Sequence, residues 1–260
     1  MLFLKSFKYT KLKMEQQNYN YQTNSVFVQE NSVSKKFFAN VFLWMFVALA
    51  LSTLSAFYIS NTESALRSLI DFETGRRTAL GYVAMFAPLG LVLVMGAGFS
   101  RLSYGALLGV FVLFSVLLGV SLSFILLIYT GTSIITCFAA AAGIFGIMAV
   151  MGYTTNIDLS KFGPILMVGV AGLFIASIAN MFIKSEQFSL IMAFVGIAVF
   201  TALTAYDVQK IKRIGMGIEE SGESIPSADT KKLAIMAALS LYLDFINIFL
   251  FLLRIFGSRK

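Results

Sequence analysis

Seven apolar stretches of about twenty residues each run through this chain and limit what it can fold into. A stretch of that length can cross the hydrocarbon core of a bilayer as a helix. In hydrocarbon every backbone N–H and C=O needs a partner within the protein, which a helix provides for itself. The sequence therefore predicts an all-α integral membrane protein with seven transmembrane helices, at roughly 37–59, 78–99, 104–129, 132–153, 163–183, 187–210 and 233–256.

Composition supports this assignment. Hydrophobic residues make up 58% of the 260 positions and charged residues 13%, whereas a soluble domain carries about 25% charged residues. The net charge of +7 lies in segments that flank the apolar stretches, which indicates contact with membrane lipids and no nucleic-acid partner. The chain has no histidine and one cysteine, Cys137. This excludes histidine-based catalysis, an intrachain disulfide framework and a multi-cysteine metal site.

The polar regions predict the domain organisation and the topology. Residues 1–36 form a basic cytoplasmic tail, residues 37–257 form the transmembrane domain, and residues 211–232 form a cytoplasmic loop between its last two helices. Basic residues are concentrated in the tail and around the loop, so the positive-inside rule places the N-terminus in the cytoplasm. Further basic residues follow the last stretch, which leaves a re-entrant last segment open as an alternative.

Two aspartates, Asp207 and Asp244, are the only acidic residues inside the apolar stretches. A charge at membrane depth costs at least about 2.5 kcal/mol, so intramembrane carboxylates usually have a function. A proton shared between two neighbouring carboxyls would hold their helices together, and its loss at higher pH would make the carboxylates repel each other. A divalent cation could also neutralise the deprotonated pair.

Other polar side chains accompany each aspartate at helical spacing. The two stripes consist of Thr201, Thr204, Asp207 and Lys210, and of Ser240, Asp244 and Asn247. Polar stripes on membrane helices face protein or water, so the two are expected to face each other. Thr204, Lys210, Ser240 and Asn247 are therefore predicted to support the pair. Alternatively, Asp207 forms a surface ion pair with Lys210, and Asp244 bonds Ser240 or Asn247 to fix packing.

Several segments resemble the Bax inhibitor-1 family, also called the transmembrane Bax inhibitor motif family. The resemblance covers about residues 35–257 and is most specific in AYDVQKIKRI and ALSLYLDFINIFLFLLRIFG, which look like the last two helices of that family. MFAPLGLVL, GYTTNIDLSKFG and ASIANMF are similar to its second helix, a loop and the end of its fifth helix.

The resemblance implies a seven-helix fold with the last helix at the centre. It also implies a pH-sensitive calcium leak gated by an aspartate pair, which corresponds to Asp207 and Asp244. Calcium is then the transported ion, protons control the flow, and no cofactor is expected. A bacterial-type member would lie in the inner membrane. Some members close the pair with an arginine of the second helix, but this chain has no charge between Leu80 and Ser100.

Three other functions compete with a leak. A regulator without transport activity would bind a partner such as a membrane-bound AAA protease. A proton-coupled solute carrier would need a further buried polar cluster. An intramembrane aspartyl protease would share Tyr206 and Asp207, but such proteases have Gly-x-Gly before the second aspartate, where this chain has Leu-Tyr-Leu at 241–243. Because those side chains would block a substrate strand, we do not expect an enzyme.

Overall fold

The computed structural model describes residues 33–221 and 227–260, and within them the chain is built from helices with no named strand. Seven of the helices are long and apolar enough to cross a membrane, which confirms the predicted fold class. They are α1 (Val33–Asn61), α3 (Ala79–Gly98), α4 (Tyr104–Ile128), α5 (Gly131–Thr154), α6 (Gly163–Ile183), α7 (Glu186–Ser221) and α8 (Ser227–Phe256). A short helix, α2 (Glu63–Leu69), follows α1, and a 3₁₀ helix, Leu159–Phe162, precedes α6.

The predicted loop at 211–232 is wrong for most of its length. α7 continues to Ser221 and α8 begins at Ser227, so only 222–226 lie outside the described residues. α7 continues because Ile211, Gly215 and Ile218 recur at helical spacing and are buried. Gly215 lies against Ser34 and Phe37 of α1.

The first helix begins earlier than the predicted boundary between tail and membrane domain. Residues 33–36, assigned to the tail, already belong to α1, since this first turn packs against α7. The rest of the predicted tail, residues 1–32, lies outside the described residues. α8 is continuous over 30 residues. A re-entrant segment would need a break in that helix, and α8 has none.

α8 lies at the centre of the bundle. Fifteen of its 30 residues are buried, and Ile235, Leu241, Tyr242 and Ile248 have no exposed surface. α4, α5 and α7 all pack against it. α6 is an outer helix, since Leu173 is its one buried large side chain. The helix at the centre of the bundle is therefore the one that carries Asp244.

Small residues allow two pairs of helices to reach backbone contact. A Cβ at Gly119 of α4 would overlap the backbone of Ser52 in α1, and a Cβ at Gly152 of α5 would overlap the backbone of Ala205 in α7. Membrane helices associate through close packing of this kind, because apolar burial offers little gain in lipid. The contact at Ala205 fixes α7 against α5 close to Asp207.

We expect Gly152→Ala to destabilise the protein by about 1–3 kcal/mol, since the added methyl group forces α5 and α7 apart. The midpoint of thermal unfolding in detergent, followed by circular dichroism, measures the effect. Gly146→Ala on the same helix is the matched control, because no atom lies within 4 Å of a Cβ at that position. Alanine there is expected to keep or raise the midpoint. Equal midpoints in the two variants would contradict the contact.

Candidate functional site

The packing of α7 against α8 brings the two aspartates to the same level. The rings of Phe200 and Phe251 lie 6.0 Å apart between centroids. Asp207 follows Phe200 by seven residues, and Asp244 precedes Phe251 by seven. Seven residues are close to two helical turns, and the helices run in opposite directions. Asp207 and Asp244 therefore face each other about 10 Å from the phenylalanine pair.

The two carboxyls differ in environment. Asp244 is buried with 4% of its surface exposed, and its Oδ2 atom has no hydrogen-bond partner. Asp207 is half-buried. Because the register of α7 and α8 brings the two side chains to the same level, they are near enough to interact electrostatically. An unpartnered carboxylate oxygen in a membrane interior is costly, which makes Asp244 the less stable member of the pair as an anion.

Lys210 is the cation nearest to the pair along α7. It lies three residues after Asp207, and its side chain is exposed. Within the described part of the chain, the ion pairs at 4.0 Å or less do not join the two residues. Among these ion pairs there is thus none between Asp207 and Lys210, and a supporting role for Lys210 stays a prediction.

The other predicted support residues direct their donors to their own helices. Thr204 donates its hydroxyl to the Phe200 carbonyl at 2.8 Å, and the Asn247 amide donates to the Leu243 carbonyl at 2.8 Å. Ser240 is half-buried one turn before Asp244. The geometry brings these residues to the same helices and levels as the pair. Their supporting role stays a prediction.

α3 contributes no cation to the pair. Arg101 beyond its end is exposed, and Arg77 before its start lies over the Phe124 ring at 4.9 Å. Just beyond the end of α3, the ammonium of Lys232 of α8 donates to the Phe99 carbonyl at 3.2 Å and pairs with Asp229 at 3.1 Å. Lys232 precedes Asp244 by twelve residues, or about 18 Å.

Sequence reasoning missed a polar cluster on the other side of α7. Gln209 and Arg213 bond the segment between α5 and α6, where Asp158 accepts from Arg213. The sequence feature that could have indicated this cluster is Gln209, a polar residue within an apolar helix, two residues after Asp207. Hydrogen bonds from Ser160, and then from Arg213, lower the pKa of Asp158 below its ordinary value.

The pair is too small for a resident metal site. Among the described residues, no three potential Asp, Glu, His or Cys ligands come together. Calcium takes six to eight oxygen ligands, so two carboxylates offer only part of a coordination shell. Such a site can share a proton or contact a passing cation.

We predict that Asp207→Cys and Asp244→Cys can be joined by a short bifunctional thiol reagent, in a Cys137→Ala background. A protease site inserted at 222–226 allows detection, since a crosslinked chain stays in one piece after cleavage. Tyr206→Cys with Asp244→Cys is the control, because the Tyr206 hydroxyl packs against Gly163 of α6. Equal crosslinking in both pairs would contradict the proposed register of α7 and α8.

Comparison with known proteins gives a consistent assignment. A model of the family described as "Inhibitor of apoptosis-promoting Bax1" matches residues 34–260. "Inner membrane protein YbhL" of Escherichia coli K12 is 41% identical over 236 residues, which cover 90% of this chain and 96% of that protein. "Uncharacterized protein RP147" of Rickettsia prowazekii is 39% identical over 228 residues, covering 87% and 91%. An uncharacterised protein of Borreliella burgdorferi is 37% identical over 233 residues, covering 89% and 96%. The resemblance inferred from the sequence is confirmed.

Proposed function

Because the chain belongs to the Bax inhibitor-1 family, we propose that this multi-pass membrane protein is a pH-sensitive calcium leak channel gated by Asp207 and Asp244. One observation carries the proposal. Two carboxyls face each other on consecutive helices, and the buried one has an oxygen without a hydrogen-bond partner. A purely structural carboxylate at this depth would have its oxygens bonded.

The switch depends on one shared proton. When the pair holds a proton, the carboxyls attract each other and keep α7 and α8 together. When the proton leaves, two like charges lie in a desolvated space, and at 4 Å with an effective dielectric constant of 20 they repel by about 4 kcal/mol. Moving a two-state equilibrium from almost closed to almost open requires about 5.5 kcal/mol. The repulsion is therefore of the right order to bias the gate strongly.

Calcium is the substrate that the deprotonated pair suits. Carboxylate oxygens are hard ligands that a divalent cation prefers, and an incomplete shell lets the ion leave again. We place the protein in the inner membrane, by analogy with the relative from Escherichia coli. Its N-terminus is placed in the cytoplasm by the positive-inside rule.

A second function has its own support. α7 continues as a helix fourteen residues beyond Asp207, to Ser221, and exposes Met216 and Glu220 there. This charged helical surface could dock a membrane-bound AAA protease, so that the protein regulates a partner without conducting ions. Protease activity of the chain itself is disfavoured, since Leu241 and Tyr242 are fully buried beside Asp244 and leave no room for a substrate strand.

We expect calcium flux into dye-loaded proteoliposomes to rise between pH 5 and pH 9. Asp244→Asn should abolish the pH dependence, because an amide cannot gain the second negative charge. Removing as little as about 1.4 kcal/mol of repulsion lowers the open-to-closed ratio tenfold.

Glu220→Gln removes an exposed acid from the same hairpin and should keep the wild-type profile. If flux does not exceed that of empty liposomes at any pH, the channel function is refuted and the regulator function is favoured. In that case the Asp207→Asn/Asp244→Asn variant is expected to retain binding of the partner.

A further inference from the structure

The side chain of Gln209 holds the segment between α5 and α6 against α7. Its Oε1 atom accepts from the Leu159 N–H at 2.8 Å, and its Nε2 atom donates to the Ile157 carbonyl at 2.8 Å. Gln209 is buried, with 6% of its surface exposed. Two bonds of opposite polarity to one backbone segment fix both the side chain and the segment. Losing them would leave buried polar groups unpaired.

Arg213, one turn further along α7, adds an ion pair to the same segment. Its guanidinium donates to the Asp158 carboxylate and, at 3.0 Å, to Gln209 Oε1. Asp158 is itself oriented by the N–H and the hydroxyl of Ser160, at 3.1 and 2.6 Å. The three side chains and the backbone of 157–160 thus form one connected set of bonds, which we name the α7 clamp.

The α7 clamp keeps its charges over the pH range in which the aspartate pair is proposed to switch. Hydrogen bonds from Ser160 and Arg213 lower the pKa of Asp158. A carboxylate with a lowered pKa contributes to stability above its unfolded pKa of about 3.9 and loses that contribution only as the pH falls below it. Between pH 5 and pH 9 Asp158 therefore stays ionised and paired.

Further contacts extend the attachment of α7 along the same side. The Lys212 ammonium donates to the Tyr153 carbonyl at 2.8 Å and lies 4.9 Å from the centre of the Tyr153 ring. Tyr206 packs against Gly163 of α6. Successive residues of a helix are separated by about 100°, so Gln209 points about 200° away from Asp207. The attached side of α7 is thus almost opposite the side that carries the aspartate.

We infer that Gln209 and Arg213 are positioning residues for Asp207. Through these contacts α5, the segment 155–162, α6 and residues 206–213 of α7 move as one body. The effect on flux rests on the proposed function. Opening the pair then requires α8 to move relative to that body. Among the described residues, the Oδ2 atom of Asp244 has no hydrogen-bond partner, in contrast to the bonded side chains of the α7 clamp.

Several charged groups lie around this region. α7 carries Lys210, Lys212 and Arg213, the segment carries Asp158 and Lys161, and α8 presents Asp244. The aspartate pair is the group proposed to switch, and the α7 clamp determines where its half-buried member lies.

The first test is the pH profile of calcium flux in Gln209→Leu and Arg213→Gln. Both variants should leak at pH 5, so that the ratio of flux at pH 9 to flux at pH 5 approaches one. The exchanged pair Asp158→Arg/Arg213→Asp should recover part of the wild-type ratio, whereas either single change should not. Lys161→Gln is the matched control, because it removes an exposed positive charge from the same segment. Unchanged profiles in Gln209→Leu and Arg213→Gln would overturn the inference.

The second test does not depend on flux. Spin labels at Met216 of α7 and Ala228 of α8, both exposed, report the distance between the two helices in a Cys137→Ala background. Gln209→Leu should broaden the distance distribution, and Lys161→Gln should leave it as in the wild type. A protein without flux whose distances broaden in Gln209→Leu would refute the channel and keep the α7 clamp. Identical distributions in both variants would refute the α7 clamp itself.

Discussion

The antiparallel contact between α7 and α8 is the interaction on which the rest of the bundle depends. Phe251 packs over Gly196 and against Phe200, and this contact sets the axial register of the two helices. This register brings two carboxyls together in a medium that penalises both. A slip of one residue would rotate Asp207 by about 100° away from Asp244. Aromatic packing therefore sets an electrostatic arrangement that the carboxyls would not adopt by themselves.

The α7–α8 hairpin contains a bonded polar network on α7 and an unpaired carboxylate oxygen on α8. On one side of α7, two polar side chains are bonded: Gln209 to two backbone atoms, and Arg213 to Asp158. On the other side, a carboxylate oxygen of Asp244 lacks a donor. Fully bonded polar networks make a region rigid, whereas an unpaired polar group in the interior is costly. α7 thus joins the region held by the α7 clamp to α8, which carries the costly unpaired carboxylate oxygen.

Hydropathy and helical spacing were sufficient to predict the seven helices, and they placed Asp207 and Asp244 on polar stripes that were expected to face each other. They failed for 211–221, because hydropathy falls at Lys210 although buried Ile211 and Ile218 continue the helix against α1. They also missed the α7 clamp, since the partners of Gln209 are backbone atoms of a distant segment and leave no mark in side-chain patterns. Thr204 was expected beside the pair, but a helical threonine readily bonds the carbonyl four residues earlier.

The contact between Gly215 and Ser34 has a consequence for how the protein can be bound. It brings the start of α1 to the part of α7 that continues beyond the apolar residues. A ligand bound to the exposed residues of the first turn of α1 would therefore lie close to Met216, which follows Gly215 and is exposed. One ligand that contacts both helices there would gain avidity from each.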